Sequence, residues 1–234
     1  MVELEIKGYQ QSSLIEWPGL LVDMIFLGGC NFRCPYCHNP DLLNPGQIES
    51  HDINDILAEI DTRKNTKWLD GISITGGEPT VSKKLPKFLG ILQDFDLKTK
   101  IDTNGSNPQV VQKLLDEKLI DYIAMDVKAI PEKYDKAVGV KAPLDKINET
   151  IEIIINSGLD HEFRTTVAPT IVDPVNDIPI IAEMIQGAKR YYIQQFRPLK
   201  CLDKSFEKLK PYGLNLLEKA HKAVAPLFEV CEIR

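Results

Sequence analysis

The stretch Gly28-Gly29-Cys30-Asn31-Phe32-Arg33-Cys34-Pro35-Tyr36-Cys37-His38-Asn39-Pro40 decides how the chain is read. Three of the five cysteines fall within it, spaced C-x3-C-x2-C. Three thiolates on one short loop can converge on one inorganic centre, as they do around iron–sulfur clusters. A four-iron cubane held by three local cysteines keeps one iron open to a small-molecule ligand. Structural zinc is the alternative, and it normally takes four ligands, often as two C-x2-C pairs. Here there is one such pair, one cysteine upstream and no second knuckle. His38 as a fourth ligand would strain tetrahedral closure, being adjacent to Cys37. The donor pattern favours the cluster over zinc.

Outward from the loop, the chain repeats one grammar. Leu20 to Leu27 is a nearly continuous apolar run broken only by Asp23, which predicts a buried strand of a parallel sheet with the cysteine loop at its C-terminal end. Further strands are predicted at 71–75, 98–101, 122–127, 161–167 and 190–196. Helical spacing follows them, as in Ile53, Ile56, Leu57 and Ile60 after a Ser50 or Asp52 cap. Six strand–helix units in alternation imply a parallel sheet with helical crossovers. The count stops short of a closed eightfold barrel, so the expected fold is α/β, an open (β/α)6 partial barrel. Residues 1–20 read as an accessory stretch, with Val2, Leu4 and Ile6 alternating as a short edge strand and a turn at Trp17-Pro18-Gly19. Residues 21–234 form the main domain. The longest loop, 129–143, reads as a mobile lid.

Polar and glycine motifs cluster at the strand ends where such sheets carry their chemistry. They are Gly76-Gly77-Glu78-Pro79, Asp102-Thr103-Asn104-Gly105 and Asp126-Val127-Lys128, with Arg164-Thr165-Thr166 and Gln194-Gln195 inside the last two strands. Two glycines let backbone approach a ligand, and Glu78 reads as a residue that fixes its loop. Asp102 and Asp126 suit acid–base work, cation binding or ribose contacts; alternatively Asp102 caps the turn at Gly105. Lys128 points to the same side as Asp126. No Ser/His/Asp triad is evident, and no side chain is assigned as a catalytic acid, base or nucleophile.

A net charge of −6 argues against nonspecific binding of nucleic acid or anionic membrane. Hydrophobic content of 43% and charged content of 26% are ordinary for a soluble domain. No apolar run approaches a membrane span, and the N-terminus lacks a signal-peptide core. The expected location is the cytoplasm, where thiols stay reduced. Cys201 and Cys231 read as ordinary structural cysteines.

The cysteine motif, with the aromatic Tyr36 before its last member, resembles the radical S-adenosylmethionine (radical SAM) superfamily. The longer run SLIEWPG…GCNFRCPYCHNP, Ser13 to Pro40, resembles the activating enzymes of glycyl-radical proteins, most of all those of anaerobic ribonucleoside-triphosphate reductase. The likeness extends in patches from about Gly8 to Pro198 and implies the same partial barrel. It implies a [4Fe–4S] cluster on Cys30, Cys34 and Cys37, with SAM on the open iron. One electron, from a low-potential donor such as ferredoxin or flavodoxin, then cleaves SAM to methionine and a 5′-deoxyadenosyl radical. That radical takes a hydrogen atom from a glycine of a partner protein. It further implies that Gly76 and Gly77 support the methionine amino group and that Asp126 to Lys128 lie in the SAM site. A monovalent cation can bind near Asp102 and Asp126, and Tyr36 and His38 lie against adenine. The histidine that pyruvate formate-lyase activases carry after their last strand is replaced by Gln194-Gln195-Phe196-Arg197-Pro198, so Gln195 or Arg197 takes over an adenosine contact. The rival expectations are a small-molecule or RNA-nucleoside substrate, and a non-catalytic metal-binding module.

Overall fold

The computed structural model describes residues 4–234; Val2, part of the expected N-terminal strand, lies outside the described residues. The strands are β1 (Ile6–Ser13), β2 (Val22–Leu27), β3 (Gly71–Gly76), β4 (Lys98–Thr103), β5 (Tyr122–Asp126), β6 (Asp160–Val167), β7 (Arg190–Gln195) and β8 (Val230–Ile233). The helices are α1 (Ile53–Asn65), α2 (Leu85–Gln93), α3 (Pro108–Asp116), α4 (Pro131–Val138), α5 (Leu144–Asn156), α6 (Asp177–Met184) and α7 (Leu214–Val224). The strands make one sheet in chain order. β1 runs antiparallel to β2, whereas β2–β3, β3–β4, β6–β7 and β7–β8 pair in parallel. The six expected strand–helix units are all present, so the α/β partial-barrel expectation holds, with a strand added at each end.

Three elements differ from the sequence reading. β1 begins at Ile6 and runs to Ser13, exposed at Gln10 to Ser12, and its register slips between Gln10 and Ser13. An edge strand with one wet face and a bulge shows no clean alternation. β8 is four residues long and half-buried, too short to declare itself. The expected lid at 129–143 contains α4, whose Tyr134, Ala137 and Val138 are buried. Gly139, at φ +68°, ends it, its N–H reaching Asp135 O at 3.0 Å.

The chain packs as two compact units. One comprises the described chain up to Asn31 with Asp41–Thr103 and Gln109–Ile123; the other comprises Phe32–Pro40, Asn104–Pro108 and Ala124–Arg234. In the first, Val22, Ile25, Ile72, Ile74, Phe88 and Leu92 are fully buried. Asp23, the polar residue inside an apolar strand, is also fully buried. Its carboxylate accepts from Tyr9 Oη (2.6 Å), Ser12 N (2.9 Å) and Arg63 Nε (2.7 Å), which pins β1 and α1 to β2. A buried charge survives only when paired and hydrogen-bonded in this way. Asp52 caps α1 as expected, accepting from Asn54 N at 2.7 Å. In the second unit the core is Met125, Tyr134, Ile147, Phe163, Ile181 and Tyr191, all fully buried. Arg234, just beyond β8, lays its guanidinium 3.3 Å over the Tyr192 ring.

Candidate active site

In the first unit, the end of β2 meets the end of β3. Gly77 N donates to Leu27 O and Glu78 N to Gly29 O, both at 2.8 Å. Gly76 sits at φ +122°, and a Cβ there would collide with Leu27 backbone; one on Gly77 would collide with Gly29 O and lie 3.3 Å from Cys30 Cβ. The two glycines are thus required by the close approach of the GGEP turn to the strand of Cys30. Glu78 is buried and accepts from Thr80 N (3.1 Å), Thr80 Oγ1 and, across to β4, Thr103 Oγ1 (2.8 Å). It fixes the loop, as its position suggested. Asp102 pairs with the wholly buried Lys100 at 2.9 Å, and Lys100 also donates to Glu16 O at 2.6 Å.

In the second unit, the rest of the cysteine loop is held from two directions. Arg33 N donates to Val138 O at 2.7 Å, at the end of α4. Cys37 N closes a turn onto Cys34 O at 3.0 Å. The segment after β7 straps over this turn: Leu202 N donates to Cys37 O (3.2 Å) and Asp203 N to Pro35 O (2.9 Å). His38 Nε2 lies 2.9 Å from Arg197 O, with its ring 6.3 Å from Phe196. His38 Nε2 thus ties the loop to the segment after β7. The strap also brings buried Cys201 up to the loop, a proximity the sequence did not disclose; burial pushes its thiol pKa up. None of the five cysteines forms a disulfide.

Beside that turn stands a half-buried polar cluster. Asp126 Oδ1 accepts from Arg164 Nε and Oδ2 from Lys128 Nζ, each at 2.8 Å. Burial opposes the carboxylate's charge, but the two cations outweigh it and hold the Asp126 carboxyl well below the usual range. Burial likewise opposes the Lys128 charge, and Asp126 overcomes it, keeping the ammonium protonated. Lys128 N donates to Tyr134 Oη at 3.2 Å. Tyr36 is 6% exposed, and its hydroxyl is buried with no hydrogen-bond partner. Burial and then the neighbouring Cys34 raise its pKa well above normal. The sequence shows Arg164 only within the polar run Arg164-Thr165-Thr166, with no partner assigned, and it gives no signal for Tyr134. In the turn after β4, Asn104 Oδ1 accepts from Ser106 N at 2.9 Å. Gln195 donates through Nε2 to Tyr212 O at 3.3 Å.

Residues 24–184 match the Radical SAM superfamily model. A Methanocaldococcus jannaschii protein named as a candidate glycyl-radical enzyme activating enzyme is 35% identical over 234 residues, 98% of this chain and 95% of that one. The pyruvate formate-lyase-activating enzyme of Clostridium pasteurianum is 25% identical over 229 residues, 95% and 94% of the two chains. The structure of Streptococcus suis SuiB bound to precursor peptide SuiA superposes with a TM-score of 0.67 and 16% identity, over 91% of this chain and 49% of that one. The chain belongs to the radical SAM superfamily and is an enzyme of that class.

Enzymes of this superfamily use a [4Fe–4S] cluster and SAM. Among the described residues, no three His, Cys, Asp or Glu side chains gather into a site for one metal ion; a cubane is a larger body than one ion. The donor set fits the expected groups. The loop offers three thiols, and the buried Tyr36 hydroxyl lacks a partner beside a cation–carboxylate cluster, which is where a polar ligand would satisfy it. Among the described residues no helix is long and apolar enough to cross a membrane.

Proposed function

We propose that this protein activates a glycyl-radical enzyme, abstracting a hydrogen atom from a backbone glycine of that partner. Its partner is an anaerobic ribonucleotide reductase. The observation that carries the reading is identity across nearly the whole length of proteins named as activating enzymes. The narrower choice of reductase rests on the Ser13–Pro40 stretch.

With cluster and SAM bound, the pair supplies one-electron cleavage of the sulfonium and a carbon radical that takes the hydrogen atom. Cys30, Cys34 and Cys37 hold the cluster as thiolates. The amides of Gly77 and Glu78 are engaged by Leu27 and Gly29, so what Gly76 and Gly77 offer an amino group is carbonyl oxygen. Lys128 presents its ammonium to the ligand carboxylate while Asp126 and Arg164 hold its position. The Tyr36 hydroxyl donates to the same ligand. A monovalent cation at Asp102 would share that carboxylate with Lys100. Gln195, turned to Tyr212, meets adenosine through its amide oxygen or its second Nε2 hydrogen. The enzyme works in the cytoplasm, reduced by ferredoxin or flavodoxin.

The test is anaerobic cluster reconstitution, reduction with dithionite and assay of 5′-deoxyadenosine after SAM is added, with and without the reductase. Expected are about four irons per chain, 5′-deoxyadenosine, and a glycyl-radical EPR doublet on the reductase. Cys34→Ala should lose all three. A Cys34→Ala protein that still cleaves SAM refutes the ligand assignment; SAM cleavage without a radical on the reductase refutes the partner.

A further inference from the structure

We propose that the cleft between the start of β1 and the turn after β3 is the docking site of an acidic electron-donor protein. The proposal rests on the reading of the cysteine loop as a cluster site. The cleft holds about 290 Å³ and is lined by Glu5, Leu27, Gly28, Val81, Lys83 and Lys84, among others. One wall is the chain that leads directly into Cys30. Gly28 N donates to Glu5 O at 2.8 Å, and a Cβ on Gly28 would lie 2.7 Å from Pro45 Cβ and 2.9 Å from Lys7 Cγ. The opposite wall continues from Glu78, whose N–H is bonded to Gly29 O. The lining at Gly28 is therefore two residues from Cys30, at most about 7 Å along the chain.

The rim is basic. Lys83, Lys84 and, one turn on, Lys87 are exposed. Among the described residues, the one carboxylate in the lining is Glu5; it pairs with Lys7 at 2.7 Å, and Lys7, then Ser50 and Lys84, hold its pKa below normal. Lys7 is itself anchored on Ile48 O and Ser50 Oγ, both at 2.8 Å. Among the described residues of the lining, two lysines stand against one carboxylate, a net positive mouth on a chain of net charge −6. Val81, 39% exposed, adds an apolar contact beside these lysines. Electron-transfer partners meet through small, weak interfaces. Charge then steers the encounter and makes it salt-sensitive. A basic mouth beside a cluster ligand fits a donor with an acidic face.

The experiment compares reconstituted wild-type protein with Lys83→Glu/Lys84→Glu, reduced by dithionite or by reduced flavodoxin as the acidic donor, at low and high salt. Expected is a loss of about tenfold or more in the flavodoxin-driven rate of 5′-deoxyadenosine formation, with dithionite-driven rates within about twofold of each other. The wild-type flavodoxin rate should fall with salt, and the variant's should not. An unchanged flavodoxin rate overturns the docking site. Equal loss with dithionite also overturns it, because the lysines then act on the cluster. Wild-type protein that makes no 5′-deoxyadenosine with dithionite overturns the underlying cluster reading instead.

Discussion

A tyrosine hydroxyl removed from water without a partner costs about 1–3 kcal/mol, and Tyr36 carries that cost in the middle of the cysteine loop. Its neighbours are already committed. Asp126 holds Lys128 and Arg164, and Tyr134 accepts from Lys128 N. A bound ligand would supply the missing acceptor. Tyr36→Phe should therefore leave the melting temperature of the ligand-free chain unchanged or slightly raised, and weaken SAM binding about fivefold, close to one hydrogen bond. Calorimetry on the apo chain and equilibrium SAM binding to the reconstituted one check this. Unchanged SAM affinity would sink the role of the hydroxyl. At this scale the sequence showed the motif residues Tyr36, Asp126 and Lys128, because they lie within short, chemically distinctive runs. It did not show Arg164 as the partner of Asp126. The two are 38 residues apart, and nothing local in either neighbourhood encodes the pairing. Asp23 is the same lesson from the other side: it was visible as an oddity, and its explanation lay in Arg63 and Tyr9.

Elements were legible where the hydrophobic period was strong. β2 to β7 and their helices bury regular apolar faces, so their order could be read directly. β1, β8 and α4 escaped because each is short or half-wet, and a short amphipathic turn between Pro131 and Gly139 reads like a loop. The junction of β2 and β3 carries the sharper consequence. The GGEP glycines were read as room for a ligand, yet they first make room for the protein's own backbone at Gly29. Gly77→Ala must push the turn away from Gly29 and Cys30, breaking the Glu78 N to Gly29 O bond. The fold should persist, with a loss of about 1–3 kcal/mol for the strain and the lost bond, while iron content after reconstitution falls by more than half. Far-UV circular dichroism and iron analysis on the same samples separate the two effects. Full iron loading with a normal melting temperature would show that the close approach is dispensable.

Across the whole molecule, acid should act in two stages, both destabilising. His161 is buried, and its Nε2 accepts from Lys189 N at 3.2 Å while Nδ1 donates to Leu159 O at 2.8 Å. Both nitrogens are committed to the neutral ring, and a second proton would set one N–H against another. Burial, then Lys189 and Arg190, lower its pKa from 6.5 in the fold. The unfolded chain takes up that proton first, so stability falls as pH drops below about 6.5 and stops falling at the lower folded value. The second stage belongs to carboxylates that the fold holds in their charged form. Asp126 between Arg164 and Lys128 and Asp160 against Lys189 and Arg190 both have lowered pKa values. Their contribution is fully present above the ordinary carboxylate pKa of about 4 and is lost as pH falls from there to the lower folded values. Melting temperatures of the cluster-free chain should therefore decline gently from pH 7 to 5 and steeply below pH 4. His161→Gln, which keeps an acceptor for Lys189 N but cannot titrate, should flatten the first limb and leave the second untouched. If the variant and the wild type decline in parallel between pH 7 and 5, the first limb arises elsewhere in the fold.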